Sequence, residues 1–168
     1  MLCHTCSVVD STENTALDDI DRQVLRSLQE NGRASNSALA AEAGLTPTPM
    51  LQRLKRLEQT GAIQKYMAIV DPVAAGCPTL AFISVTLKSH ELGLHRSFVE
   101  LVQTLEEVLE CHHIAGEEDF LLKVAVPDIP ALEHFLLHRI STSKAIGRVK
   151  TTFVLSSSKK HTPLPIKG

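Results

Sequence analysis

The sequence predicts an α+β protein: a helix-turn-helix segment followed by a ferredoxin-like β-α-β-β-α-β unit. Three observations carry that prediction. Three short amphipathic helical patterns follow one another between residues 16 and 62, the second and third separated only by Gly44-Leu45-Thr46. Beyond Gly61 the apolar period changes from the helical repeat to extended patterns. From residue 79 onward, strand and helix patterns come in the order β-α-β-β-α-β over about ninety residues, the split βαβ arrangement.

Each element has its own signals. Residues 1–15 are polar and unpatterned and read as a flexible arm. The first helix repeats Leu17, Ile20, Val24 and Leu28 at helical spacing, and Asp18, Asp19 and Asp21 suit its positive N-terminal end. Asn31-Gly32 stops it. The second runs from about Asn36 through Leu39, Ala40 and Ala43, with Ser35 or Asn36 as N-cap and Gly44 as terminator. The third opens at Thr46-Pro47, buries Met50, Leu54 and Leu57, and ends at Gly61. Residues 63–78 read as a linker strand and turn, and residues 79–168 as the second domain. There Leu80 to Leu87 alternates, with Ala81, Ile83, Val85 and Leu87 on one face. A helix carrying Phe98, Leu101, Val102, Leu105 and Val108 follows. Then come a strand from Cys111 to Ala115, a turn at Gly116-Glu117-Glu118 and a strand from Phe120 to Val126. A helix opening at Pro127 or Asp128 carries Leu132, Phe135, Leu136 and Ile140, and a strand from Val149 to Leu155 closes the unit.

Two helices cover only one face of such a sheet. The other would carry Leu80, Phe82, Leu121 and Val154, which are too apolar to leave in water. Pairing with a second copy is therefore expected, and a two-fold dimer would present two copies of the third helix.

Composition narrows the function. Of the 168 residues, 43% are apolar and 21% charged, which indicates a folded chain. No apolar run reaches the ~18 residues of a membrane span, so no membrane partner is expected. The first ten residues lack Lys and Arg and any sustained apolar core, so a cytoplasmic location is expected, with the four cysteines as thiols. Trp is absent and aromatics total 4%, which argues against modules that stack bases on aromatic platforms. The net charge of −2 hides a local excess. Between residues 47 and 65, Arg53, Lys55, Arg56 and Lys65 face only Glu58, a net +3. Arg can read guanine edges, Gln adenine, and Lys or Thr can hold phosphates, so Thr48, Gln52, Arg53, Lys55 and Arg56 make the third helix a candidate for the major groove. An ordinary αα-hairpin with one solvated face shares this spacing.

Other clusters carry less. Cys3-His4-Thr5-Cys6 is half a zinc site with no second Cys-x-x-Cys to complete it. Strand alternation puts Cys111 and His113 on one face and His112 on the other. His134 and His138 lie one helical turn apart, as in metal-binding helices. No metal site and no catalytic residue is assigned. The chain has no phosphate-cradling Gly loop, no Gly-x-Ser-x-Gly elbow and no His-Glu-x-x-His.

Four stretches resemble the leucine-responsive/asparagine-regulator (Lrp/AsnC) family of prokaryotic transcription regulators. They are LDDIDRQVLRSLQENGR (17–33), GLTPTPMLQRLKRLEQTGAIQKY (44–66), AGEEDFLLKV (115–124) and KKHTPLPI (159–166), in the family's order. The resemblance implies a winged N-terminal helix-turn-helix, joined by a strand to a ferredoxin-like domain that senses an effector. It also implies double-stranded DNA as a partner, and dimers that assemble into tetramers or octamers. The implied effector is an amino acid or related small molecule, with no other cofactor.

Carried onto this sequence, the reading helix is Pro47 to Glu58, with Thr46, Thr48, Pro49, Gln52, Arg53, Lys55 and Arg56 as its DNA contacts. The effector loop is Ile114 to Asp119 (Ile114, Ala115, Gly116, Glu117, Glu118, Asp119), where Gly116 and Asp119 match the family's Gly-x-x-Asp. Backbone N–H groups of a Gly turn can hold a carboxylate, and an acidic side chain can hold an ammonium; a turn-capping role for Asp119 is the alternative. Met50 stands where the family often has Cys or Val, Ala115 where Thr is frequent, and Phe120 where Tyr is frequent. The two missing hydroxyls keep open an architectural DNA-organising protein without an effector, and the Cys and His clusters a metal-responsive regulator.

Overall fold

A computed structural model describes residues 16–89 and 91–167. The expected arm and Cys3-Cys6 lie outside the described residues. The chain forms two compact units: residues up to Ala68 together with those from Lys159 onward, and Ile69–Ser158.

The first unit holds α1 (Asp19–Glu30), α2 (Asn36–Glu42) and α3 (Pro47–Gln59). Their apolar stripes meet in a core of Val24, Leu39, Ala40, Met50 and Leu57, with Leu17, Ile20, Leu28 and Leu54 packed against it. Ser35 caps α2 by accepting the Ala38 N–H, at 3.1 Å. The α2–α3 turn is a Schellman motif: Leu45 N–H donates to the Ala40 carbonyl, Gly44 N–H donates to that of Ala41, and Gly44 takes a φ of +67°. A side chain at position 44 would be strained in that conformation. The Asn36 amide donates to the Pro47 carbonyl at 2.8 Å, so the start of α3 is tied to α2.

The sequence reading gives residues 159–168 to the second domain, but they group with the first unit. Three α1 side chains at helical spacing hold their backbone. Arg22 donates to the Lys167 carbonyl, Arg26 to that of Ile166, and Gln29 exchanges two bonds with Leu164. No periodic pattern marks such a strap, because its bonds run through main-chain atoms. The expected linker strand is also absent: residues 64–70 belong to no helix or strand, and a turn capped by the Asp71 carboxylate follows.

The second unit is a four-stranded antiparallel sheet in the order β2-β3-β1-β4, from β1 (Thr79–Leu87), β2 (Val108–His113), β3 (Phe120–Val126) and β4 (Ile146–Phe153). Helices α4 (Leu92–Gln103) and α5 (Ile129–Phe135) cover one face, α5 continuing as a π turn over Leu136–Ile140. Alternation places Ala81, Ile83, Val85 and Leu87 of β1 and Phe120, Leu122, Val124 and Val126 of β3 in one core. Phe98, Val102, Leu132, Phe135 and Ile140 pack down onto it. The π turn has a packing reason. Phe135 and Ile140 are five residues apart and both are buried, a spacing that an i→i+5 turn can align and an α-helix cannot.

Several element ends differ from the sequence reading: β2 runs Val108–His113 where Cys111–Ala115 is expected, and β4 ends at Phe153, two residues before Leu155. Helix α4 stops at Gln103, because Thr104 donates through both its N–H and its hydroxyl to the Leu101 carbonyl. Leu105 is buried just beyond the helix and Val108 opens β2, so the apolar repeat outlasts the helix. Strand β4 begins at Ile146, three residues early. Gly147 admits the bulge opposite Thr86–Leu87, where a Cβ would meet Leu87 and Lys88 backbone atoms at 3.3 Å.

On the uncovered face Leu80, Phe82, Leu121 and Val154 are half-buried. A Lys123–Glu110 ion pair at 2.7 Å shares that face. Among the described residues no helix is long and apolar enough to cross a membrane.

Candidate functional site

Helix α3 sorts its polar residues onto two stripes. Thr48, Gln52 and Lys55, at i, i+4 and i+7, are all exposed, and Thr46 and Pro49 are exposed at the helix start. Lys55 makes no ion pair among the described residues. This stripe offers a cation, an amide and a hydroxyl on a rigid helix, the chemistry that phosphates and base edges accept.

The other stripe turns toward the start of α1. Arg53 donates from Nη1 to Asp18 Oδ2 and Asp21 Oδ1, both at 2.6 Å, and Arg56 donates to Asp21 Oδ2 at 2.5 Å. Asp18 and Asp21 also close a reciprocal capping box on α1, through Asp21 N–H to Asp18 Oδ1 at 2.7 Å and Asp18 N–H to Asp21 Oδ2 at 3.1 Å. The Asp21 side chain has no solvent exposure. Burial alone would raise its pKa, but hydrogen bonds from Arg56, Arg53 and the Asp18 N–H outweigh that and hold it below 3.8. Asp18 is lowered chiefly by the Asp21 N–H, with Arg53 assisting against some desolvation. Arg53 is raised, first by its bond to Asp21.

The geometry thus gives Arg53 a task that the sequence reading did not include. It fixes α3 against α1, and its side chain is only 20% exposed. Arg56, at 48%, keeps one edge toward solvent. Sequence reasoning assigned Asp18 and Asp21 to the helix dipole and missed their partners 32 to 35 residues away. An available signal was the pair of arginines three apart on the α3 stripe next to the core.

The Ile114–Asp119 loop is pinned at its ends and exposed in its middle. Ile114 N–H donates to the Asp119 carbonyl and Asp119 N–H to that of Val85, each at 2.9 Å. Asp119 Oδ2 accepts the Leu87 N–H at 2.7 Å, so this carboxylate anchors the loop to β1. Ala115, Gly116 and Glu117 are exposed, and Glu118 approaches Lys150 at 3.8 Å. Gly116 is outside the left-handed region, and a Cβ there would meet nothing within 4 Å. A left-handed Gly turn is therefore not how this loop is built.

Beside the loop, the ring centroids of His95, His113 and Phe120 lie 5.0 to 5.1 Å from one another. Phe98 lies 4.6 Å from Phe120. The sequence reading missed His95, whose place here depends on α4 packing over β2. Cys111 pairs in register with Leu122 and His112 with Leu121, the alternation expected for the Cys-His-His stretch. Among the described residues no three or more His, Cys, Asp or Glu gather as metal ligands.

The comparisons with known proteins agree with this arrangement. Residues 17–64 match a winged helix-turn-helix DNA-binding model, and residues 80–164 match the Lrp/AsnC ligand binding domain. The leucine-responsive regulatory proteins of Escherichia coli K12 and Klebsiella pneumoniae are each 38% identical over 162 residues, covering 95% of this chain and 99% of theirs. A Neisseria meningitidis transcriptional regulator, solved in complex with L-Met, superposes with a TM-score of 0.83 at 35% identity over 89% of this chain and 96% of that one. Escherichia coli AsnC gives 0.78 at 30% identity over 86% and 96%. The chain belongs to the Lrp/AsnC family: it is a DNA-binding transcription regulator with a ligand-binding domain, and not an enzyme.

Proposed function

We propose that this protein is a sequence-specific regulator, acting in the cytoplasm, whose DNA binding or assembly responds to an amino acid or related small effector. The observation that carries the DNA half is the exposed Thr48–Gln52–Lys55 stripe, set on a helix whose neighbouring arginine stripe is locked to α1. The half-buried Leu80, Phe82, Leu121 and Val154 support a two-fold pairing of sheets, with further assembly to tetramers or octamers. Such a dimer delivers two reading helices to successive major grooves. Thr46, Pro49 and Arg56 flank the stripe and complete the proposed contact set, and Arg53 acts by holding the helix.

Binding isotherms on the gene's own upstream DNA test the reading. Lys55→Ala is expected to lower the slope of log K against log salt by about 2, roughly one for each reading helix of the dimer. Gln52→Ala is expected to cost about 1–3 kcal/mol on the specific site and little on unrelated DNA. Unchanged slope and unchanged specificity in the pair would refute α3 as the reading helix.

For the effector, the exposed backbone of residues 115–117 is the proposed carboxylate contact, and the Asp119 carboxylate the proposed ammonium contact. The L-Met complex of the Neisseria relative makes amino acids the first class to screen. A thermal-shift series over the twenty amino acids identifies the effector by the rise that mass action requires. The engagement of Asp119 by the Leu87 N–H favours a second reading, an architectural DNA-organising protein with no effector. That reading is the outcome if no amino acid moves the midpoint.

A further inference from the structure

We propose that His134 and His138 form a two-histidine clamp for a borderline divalent transition ion, of the Zn2+, Ni2+ and Cu2+ class. Both side chains are exposed, and their ring centroids lie 4.5 Å apart with a 40° tilt. With metal–nitrogen bonds of about 2.0–2.1 Å, two imidazoles held side by side on one ion place their ring centroids roughly 4.5–5 Å apart. The rings therefore already stand at a chelating separation.

The backbone supplies an independent reason. His134 lies in the last turn of α5 and His138 in the π turn that follows, closed by Ser141 N–H donating to the Leu136 carbonyl at 2.8 Å. In an α-helix, residues four apart are offset by about 40° around the axis. The wider π turn cancels part of that offset and sets His138 more nearly above His134. Phe135 and Ile140, anchored in the core, fix this geometry from the other side of the helix.

Imidazole nitrogens select Zn2+, Ni2+ and Cu2+ over Mg2+ and Ca2+, which demand oxygen ligands. Two protein ligands leave the remaining coordination positions to water. No residue of the DNA-reading stripe or of the 114–119 loop takes part.

The test is calorimetric titration of the full chain with Ni2+, in a Cys3→Ser/Cys6→Ser/His113→Ala background that removes the Cys-x-x-Cys pair and the His95–His113 pair, whose ring centroids lie 5.0 Å apart. One ion per chain is expected. His134→Ala and His138→Ala should each weaken it roughly a hundredfold, because loss of one arm ends the chelate. His112→Ala should leave it unchanged, and Cu2+ should bind more tightly than Ni2+. Circular dichroism of the single variants confirms that the exposed substitutions leave the fold intact. Affinities within twofold of the parent in both variants, or no heat at millimolar Ni2+, would overturn the clamp.

Discussion

Asp21→Ala is expected to destabilise the three-helix unit by about 3–5 kcal/mol, because it removes one partner of a buried ion pair and leaves the other uncompensated. The variant loses three things together: the acceptor for Arg53, the acceptor for Arg56, and one half of the α1 capping box. Arg53 then has only Asp18, whose side chain is half exposed. The chain carries its own reporter. It has no Trp and a single Tyr, Tyr66, which falls in the three-helix unit and donates to Glu58 at 3.1 Å. Urea unfolding followed by Tyr66 emission should therefore show the loss, and far-UV circular dichroism should show the sheet unit still folded. A change below about 1 kcal/mol would mean that the cluster is solvated in solution, as surface pairs are.

The same cluster sets an acid limit. Asp18 and Asp21 have folded pKa values below the ordinary 3.8, so the unfolded unit binds more protons in this range. Their stabilisation is complete above the ordinary carboxylate value and is lost as the pH falls through the lowered folded values. The Tyr66-reported transition is expected to weaken below about pH 4, and Asp21→Asn should flatten that dependence. An acid limb as steep in Asp21→Asn as in the parent would place the titrating groups elsewhere.

The second large effect is expected at Asp119. Asp119→Ala leaves the Leu87 N–H without its side-chain acceptor at a nearly buried strand end, at a cost of about 1–3 kcal/mol to the sheet unit. Asp119→Asn keeps an oxygen acceptor and removes the charge. If the carboxylate also holds an effector ammonium, the Asn variant should melt near the parent midpoint yet lose the effector-induced shift. If its task is only to anchor the loop, Asn should retain that shift and Ala alone should be impaired. Equal behaviour of Ala, Asn and parent in stability and effector response would remove Asp119 from both roles.

The fold was legible wherever a single element carries its own periodicity. Leu17, Ile20, Val24 and Leu28 mark α1, and the alternation of β1 and β3 appears in sequence as it does in the core. Legibility failed where one environment spans two elements. Leu105 and Val108 continue the α4 repeat because the same core buries them, although the helix has closed at Thr104. It failed again where the partner is distant or is main chain. Nothing local in Arg53 announces Asp21, and nothing in Leu164–Lys167 announces α1. At the site, residue types and the loop position were readable, but the division of α3 into an anchoring stripe and a free stripe was not. That division depends on which arginines find a buried carboxylate.

The return of the C-terminal strap to α1 makes the three-helix unit discontinuous, with the sheet unit inserted as a long excursion. Open, an excursion of about 90 residues carries a closure cost of roughly 4 kcal/mol by chain statistics. The sheet shortens that loop on its own account. β1 and β4 are antiparallel neighbours, and Val154 N–H donates to the Leu80 carbonyl at 3.0 Å, so the start of β1 and the residue after β4 lie one hydrogen bond apart. Once the sheet is folded, the loop that the strap must close is shortened from about 90 residues to roughly 17. An intact β1–β4 ladder therefore lowers the entropic cost of ordering the strap by about 1.5 kcal/mol, an effect set by chain connectivity alone.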